Sequence, residues 1–285
     1  MVRLAYYPGC SLEATGKEYD TSARAVCQAL GIELVELEDW NCCGATSAHS
    51  VNNLLALALP ARNLALAQKL GLDVVAPCSA CYNRLRQAEH ALRYDRETRA
   101  AIEEAAGFNF LGGVTVLSLL EALVKRIRPG TIADRVVHPL QGLRVACYYG
   151  CLLVRPPEVT RFDRPENPVH LDELVAALGA EPVAWRGKTD CCGASHAITS
   201  PEVATALVGR LLALAREGGA DALVTACPLC QTSLEMRRPA GETMPTFYFT
   251  ELMGLAFGLP GTRAWFAKHL VDVRPALRVL AQTGS

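Results

Sequence analysis

The chain has 285 residues, 51% of them hydrophobic, which is enough for one large domain or two intimate half-domains, each burying a core. With 28 Lys and Arg against 29 Asp and Glu, the net charge is −1, which argues against a nucleic-acid or membrane-surface protein. Twelve cysteines are many for a chain that needs no disulfide staples to fold, so they point to metal or redox chemistry in a reducing compartment.

In chain order, Met1 to Tyr7 lead straight to Cys10, without the charged and then apolar run of a leader. The segment Ser22 to Leu30 has a helical pattern that packs Cys27 as a small apolar residue. It ends at Gly31, and Glu33 to Glu36 read as a strand. Asn53 to Leu70 form a helical pattern, and Asp73 to Ala76 read as a buried parallel strand. A charged helix is expected over Tyr94 to Ala106, a strand over Val114 to Leu117 and an apolar helix over Leu119 to Val124.

After Val137-His138-Pro139 the series starts again. Leu143 to Ala146 read as a strand, a helix ends at Gly179, and Glu181 to Trp185 read as a strand. Helix Pro201 to Arg216, strand Ala222 to Thr225, strand Thr246 to Phe249 and helix Leu252 to Phe257 follow. The tail from Thr262 to Ser285 is basic and amphipathic, with Trp265 and Phe266, and reads as a packing helix. Leu54 to Leu66 is the most apolar stretch, and Pro60, Arg62 and Asn63 interrupt it well short of a membrane span. A cytoplasmic protein with no direct membrane span is expected.

The repeat is one of chemistry as well as of elements. The first copy reads Cys10, then Cys42-Cys43-Gly44, then Cys78-Ser79-Ala80-Cys81. The second reads Cys151, then Cys191-Cys192-Gly193, then Cys227-Pro228-Leu229-Cys230. Each Cys pair is separated from its CxxC by 34 residues in both copies, and the leading Cys from the pair by 31 and 39. The expected fold is therefore α/β: two pseudo-symmetric Rossmann-like half-domains, residues 1–138 and 139–285, each with a small parallel sheet. Ligands in such folds collect at the carboxyl ends of strands, so the five cysteines of a half can converge there. Each CxxC opens a helix, whose N–H groups and dipole favour thiolate. Soft thiolates select iron–sulfur groups, zinc or Cu(I). Five exceed the four that a closed zinc site or an ordinary cubane takes, which implies an unusual cluster or one reactive thiol.

These residues resemble the CCG-domain proteins, and in particular the B subunit of heterodisulfide reductase, over essentially the whole chain. The resemblance implies two noncubane [4Fe-4S] clusters, one on Cys10, Cys42, Cys43, Cys78 and Cys81, the other on Cys151, Cys191, Cys192, Cys227 and Cys230. Cys151 is the leading ligand of the second set because Tyr149-Gly150-Cys151 lines up with Pro8-Gly9-Cys10, whereas Cys147 falls at a strand position. The implied reaction is two-electron reduction of a disulfide between the clusters, or thiol oxidation in reverse. The implied partners resemble the two other components of that reductase, its small ferredoxin-like protein and its flavoprotein. A rival implication is an electron-transfer or anchor component of a succinate-, lactate- or glycolate-type dehydrogenase. His49 and His196, six and four residues after the Cys pairs, are candidate proton donors, with packing or capping as the alternative. Tyr7, Tyr148 and Tyr149 are candidates for the wall of the site. No GxGxxG, Walker loop or HExxH is present.

Overall fold

A computed structural model describes residues 1–45, 48–128 and 130–282. One sheet is built from β1 (Val2–Tyr6), β2 (Ile32–Glu36), β3 (Val74–Ala76) and β4 (Val116–Ser118), in the order β2-β1-β3-β4. A second repeats that order as β6-β5-β7-β8, from β5 (Arg144–Tyr148), β6 (Glu181–Pro182), β7 (Ala222–Thr225) and β8 (Thr246–Tyr248). Every pairing is parallel. The inner strands β3 and β7 are buried along their whole length, and their residues are apolar without alternation apart from the closing Thr225. That is the pattern of parallel strands covered on both faces.

The helices between the strands of the first sheet are α1 (Gly9–Glu13), α2 (Lys17–Ala29), α3 (Ala48–Val51), α4 (Asn53–Leu70), α5 (Ser79–Tyr94) and α6 (Arg96–Ala106). After β4 come α7 (Leu119–Arg126) and α8 (Thr131–Asp134). The second half carries α9 (Pro157–Thr160), α10 (His170–Ala177), a 3-10 turn at Ala194–His196, α11 (Pro201–Glu217), α12 (Pro228–Met236), α13 (Phe249–Ala256), α14 (Thr262–Phe266) and α15 (Arg274–Gln282). Local chemistry sets the ends of α4: the Asn52 side chain accepts from Leu55 N–H, and Gly71 takes the left-handed conformation that closes it.

Three expectations are corrected. The charged helix expected over Tyr94 to Ala106 is the end of α5 and then α6, divided at Asp95. That residue is extended, and its carboxylate caps α6 by accepting from Thr98 N–H. The strand expected over Glu181 to Trp185 shrinks to Glu181–Pro182, because Pro182 cannot donate to a ladder and sits at the sheet edge. The tail is not one helix but α14 and α15, and Ser285 lies outside the described residues.

The tail does pack. Trp265 is buried on Gly254, where a Cβ would come 2.4 Å from its ring. Phe266 meets Phe247 edge-on at 5.7 Å. His269 is held between Glu235 and Glu251 at 3.0 Å on either side.

The halves interlock reciprocally, α2 lying on α13 and α10 on α7. At the first contact, Ser22 and Thr250 share a buried 2.7 Å hydrogen bond, and the Tyr19 ring stacks on Tyr248 at 4.2 Å. The Tyr19 hydroxyl reaches the carbonyls of Pro77 (3.4 Å) and Ala226 (3.2 Å), the residues just before the two CxxC segments. On the far side, the second half's longer loop between its leading cysteine and its Cys pair is put to use. Asn83 of α5 donates to Leu152 and Arg155 carbonyls, and Arg86 and Tyr82 bind the carbonyls of Val159 and Thr160.

Candidate iron–sulfur centres

Strand order reverses between β1 and β3 and between β5 and β7, which makes each gap a topological switch point, the customary ligand position of an open parallel sheet. The loops leaving those strands carry Cys10 and Cys78 in one half and Cys151 and Cys227 in the other. The loops after the neighbouring strands β2 and β6 bring in Cys42-Cys43 and Cys191-Cys192. The topology thus delivers all five cysteines of each half to one end of its sheet.

The two sets are built alike. Cys43 and Cys81 sulfurs lie 3.4 Å apart, and Cys192 and Cys230 sulfurs 3.5 Å apart. These are contacts of free thiols, far longer than a disulfide bond of about 2.05 Å. The N–H of Gly44 points at Cys42 Sγ (3.4 Å) and that of Gly193 at Cys191 Sγ (3.3 Å). Tyr7 donates to the carbonyl of Asn41 (2.8 Å) and Tyr148 to that of Asp190 (2.7 Å), each bracing the residue before a Cys pair. Since Tyr7 and Tyr148 each stand three residues before the leading cysteine, this bracing aligns Cys151, not Cys147, with Cys10. Gly9 and Gly150 have φ of +70° and +69°, and a Cβ there would meet Cys81 Sγ at 2.9 Å and Cys230 Sγ at 3.1 Å. Only glycine lets the backbone approach so closely.

Burial is graded in each set. Cys43, Cys78 and Cys81 are buried while Cys10 and Cys42 are exposed; Cys192, Cys227 and Cys230 are buried while Cys151 is half-buried and Cys191 exposed. Each site therefore has a buried floor of sulfur and a rim that meets solvent. Neighbouring thiols share protons unequally. Hydrogen bonding with Cys42 and then with Cys81 holds the Cys43 thiol well below its ordinary value, against the opposing cost of burial. The hydrogen bond from Cys151 brings Cys191 to about 6 despite burial, with Gly193 N–H and the His196 charge helping. Near the boundary between the halves, Cys230 and then Cys78 drive the Cys227 thiol well down, against the cost of burial. Cys78 is pushed well up by Cys227 and by burial, and Cys230 by Cys192, Cys227 and burial. The Tyr19 hydroxyl, reaching the carbonyls just before Cys78 and Cys227, sets the two CxxC segments side by side, so the two sites meet floor to floor.

Tyr7 and Tyr148 are pushed well up by burial and then by the surrounding sulfurs, so they remain neutral donors. Tyr149 turns away to Asp172 (2.7 Å) and caps α10. His49 lies exposed on α3; His196 is exposed in the 3-10 turn, with its charge facing Cys191. Cys27 and Cys147 are buried in α2 and β5, where burial raises both thiols, Cys27 to about 12.

Arg84 is a functional candidate that the sequence pattern did not single out. It lies three residues beyond Cys81, on the same face of α5, and its charge acts on Cys43. The available signal was its position, one helical turn past a cysteine expected to open a helix.

The donor set fits a thiolate-bound iron–sulfur group: five soft donors per half, N–H groups aimed at sulfur, and glycines where a side chain would fill the hollow. Among the described residues, no three donors close on the point a single ion would take.

Residues 4–86 and 145–235 each match the cysteine-rich domain CCG. The chain belongs to the CCG family. It is 32% identical over 278 residues to the 8-methylmenaquinol:fumarate reductase membrane anchor subunit of Wolinella succinogenes, covering 94% of this chain and 96% of that one. It is 30% identical over 271 residues, 90% of each chain, to the B subunit of the ferredoxin/F(420)H(2)-dependent CoB-CoM heterodisulfide reductase of Methanosarcina acetivorans. A crystal structure of a hypothetical protein from Helicobacter pylori has the same fold, with a TM-score of 0.73 at 13% identity over 95% of this chain, which spans about half (52%) of that one. Both CCG matches contain the complete cysteine set of their half.

Proposed function

We propose that this CCG protein is the cytoplasmic iron–sulfur component of a heterodisulfide reductase-like complex, in which two noncubane [4Fe-4S] clusters serve two-electron reduction of a disulfide or its reverse. The observation that carries this reading is the floor-to-floor meeting of two equivalent five-thiol sites, whose CxxC segments are joined by the Tyr19 hydroxyl at the Pro77 and Ala226 carbonyls. A substrate with two sulfurs suits two such sites. Relatives at about 30% identity that are named as the B subunit of heterodisulfide reductase support it.

In this reading, Cys10, Cys42, Cys43, Cys78 and Cys81 hold one cluster, Cys151, Cys191, Cys192, Cys227 and Cys230 the other, and the half-domains divide between residues 138 and 139. Bound there, the clusters supply one-electron reducing power and iron open to sulfur. The chain supplies the rest. Tyr7 and Tyr148 fix the loops that carry the Cys pairs, the buried cysteines keep water from the floor, and the exposed rim admits substrate and partners. His196, beside Cys191, is the better placed of the two histidines to deliver a proton to a departing thiolate. Electrons come from a ferredoxin-like partner, which a flavoprotein feeds.

Anaerobic purification followed by iron, sulfide and zinc analysis tests the cofactor; about eight irons per chain are expected if each site assembles four. Zinc with iron near zero refutes it. Reduced protein given a disulfide should release two thiols per disulfide consumed.

The fumarate reductase anchor relative, at 32% identity, favours a second reading, an electron-transfer or anchor component of a dehydrogenase-type complex. Among the described residues no helix is long and apolar enough to cross a membrane, so anchoring in this reading runs through a partner or an interfacial contact. Clusters that reduce and reoxidise normally but ignore every disulfide tried support this second reading.

A further inference from the structure

The two sites correspond position by position, so the places where they differ in charge stand out. Arg84 occupies the third position after the CxxC of the first half; the second half has Ser233 there, whose hydroxyl donates to the Cys192 carbonyl at 2.7 Å. Asn41 precedes the first Cys pair; Asp190 precedes the second. Both differences bias the sites in the same direction: the first site gains a cation, the second an anion.

The Arg84 difference is not cancelled by its surroundings, and the Asp190 difference only in part. The Arg84 guanidinium is fixed by Gln87 Oε1 at 3.0 Å; Gln87 binds Asn83 at 2.7 Å, which in turn binds the Leu152 and Arg155 carbonyls. No carboxylate takes part in that chain, and the charge of Arg84 acts on Cys43. Arg62 also reaches Asn41, but it is paired with Asp39, so that pair adds no net charge. At the second site, Asp190 adjoins Cys191 and, among the described residues, pairs with Arg210 at 3.5 Å; that pair, like Arg62 with Asp39, is open to solvent, so Asp190 is offset only in part. His196 is the other group facing Cys191, and comparing all variants at one fixed pH keeps its contribution common to them.

We propose that these charges order the two sites, so that the N-terminal site, with Arg84 and Asn41, takes up the first electron and the C-terminal site, with Ser233 and Asp190, the second. Adding an electron makes a site more negative by one charge, which a nearby cation favours and a nearby anion opposes. The electrons come from an external one-electron donor of the iron–sulfur class, oxidised by one electron per transfer. Arg84 acts as a positioning residue through the field it places on Cys43. The inference rests on the iron–sulfur reading, though not on the identity of any disulfide.

The test is a potentiometric titration of the anaerobically purified full chain at pH 8, followed by electron paramagnetic resonance, with iron counted on every sample. Cys230→Ser leaves only the N-terminal signal and so assigns it. The wild-type protein should show two steps, the N-terminal one at the higher potential. Arg84→Ser should lower that step by about tenfold in the reduced-to-oxidised ratio at fixed potential, ~59 mV for one electron, and leave the other step in place. Arg84→Lys should restore most of the shift. Asp190→Asn should raise the C-terminal step and leave the N-terminal one, an independent arm if the Arg84 variants load poorly. Coincident steps in the wild type, or an unchanged N-terminal step in Arg84→Ser at full iron, overturn the proposal. A wild-type chain without iron overturns the cofactor assignment beneath it, and the metal analysis separates that result from a failed ordering.

Discussion

The two halves of this chain share a sheet order, a helix plan and a five-thiol site, yet they are finished differently. The first half leaves two thiols of its site exposed and closes on a cation; the second shields its leading cysteine and uses a longer loop to grip α5 of the first. The shared parts are those that geometry demands of a sulfur-rich site: a switch point, a positive-φ glycine against sulfur, a tyrosine bracing the Cys pair. The parts that differ lie one layer out, where charge and packing can vary without moving a sulfur.

The largest expected effect comes from removing a floor thiol on either side. Cys81→Ser and Cys230→Ser should each lose about half of the bound iron, as counted after anaerobic purification, if the halves assemble independently. Complete loss in either variant would show that the second site cannot form alone.

Gly9→Ala and Gly150→Ala come next. Each forces a Cβ into a left-handed position against a sulfur, at 2.9 and 3.1 Å, and should cost about 1–3 kcal/mol, read as a lowered urea midpoint. The closer approach at Gly9 makes its variant the worse of the two.

How much of this was legible in the sequence follows from what repeats. The cysteine ladder and the strand–helix alternation recur with fixed spacing, so periodicity alone led to both sheets and to α4. The break at Asp95 was hidden because helical pattern runs on both sides of it, and only the capping role of Asp95 divides it. The approach of the two CxxC segments at Tyr19 and the role of Arg84 were not legible, because both arise when elements distant in sequence meet. No local propensity encodes that α5 lies against the loop after Cys151.

A smaller effect tests the tail, which only the second half uses to cover its outer strand. The His269 side chain is 2% exposed between Glu235 and Glu251, whose hydrogen bonds raise it to about 10 against the cost of burial. A raised folded-state value means the protonated ring stabilises the fold. That contribution is complete below about 6.5, the ordinary histidine value, and is lost as pH rises toward 10. Wild-type stability should therefore fall across that window in urea titrations, and His269→Gln should flatten the fall. An identical slope in the variant would place the tail's anchorage in Trp265 and Phe266 alone.

The smallest expected effect is at the seam. Ser22→Ala leaves the Thr250 hydroxyl buried without its 2.7 Å partner and should cost about 1 kcal/mol. Equal cost in Ser22→Ala and in the double variant with Thr250→Val would show that the pair acts as one unit.

The Tyr19 hydroxyl lies between two equivalent carbonyls, those of Pro77 and Ala226. A point midway between matched groups has room for one occupant. Two identical subunits meeting here would each bring a tyrosine to the same spot and collide. A single continuous chain escapes that conflict, because its two halves are free to carry different residues. Covalent linkage of the halves therefore does more than hold them together: it permits one lone hydroxyl to serve as the shared keystone above both cysteine floors.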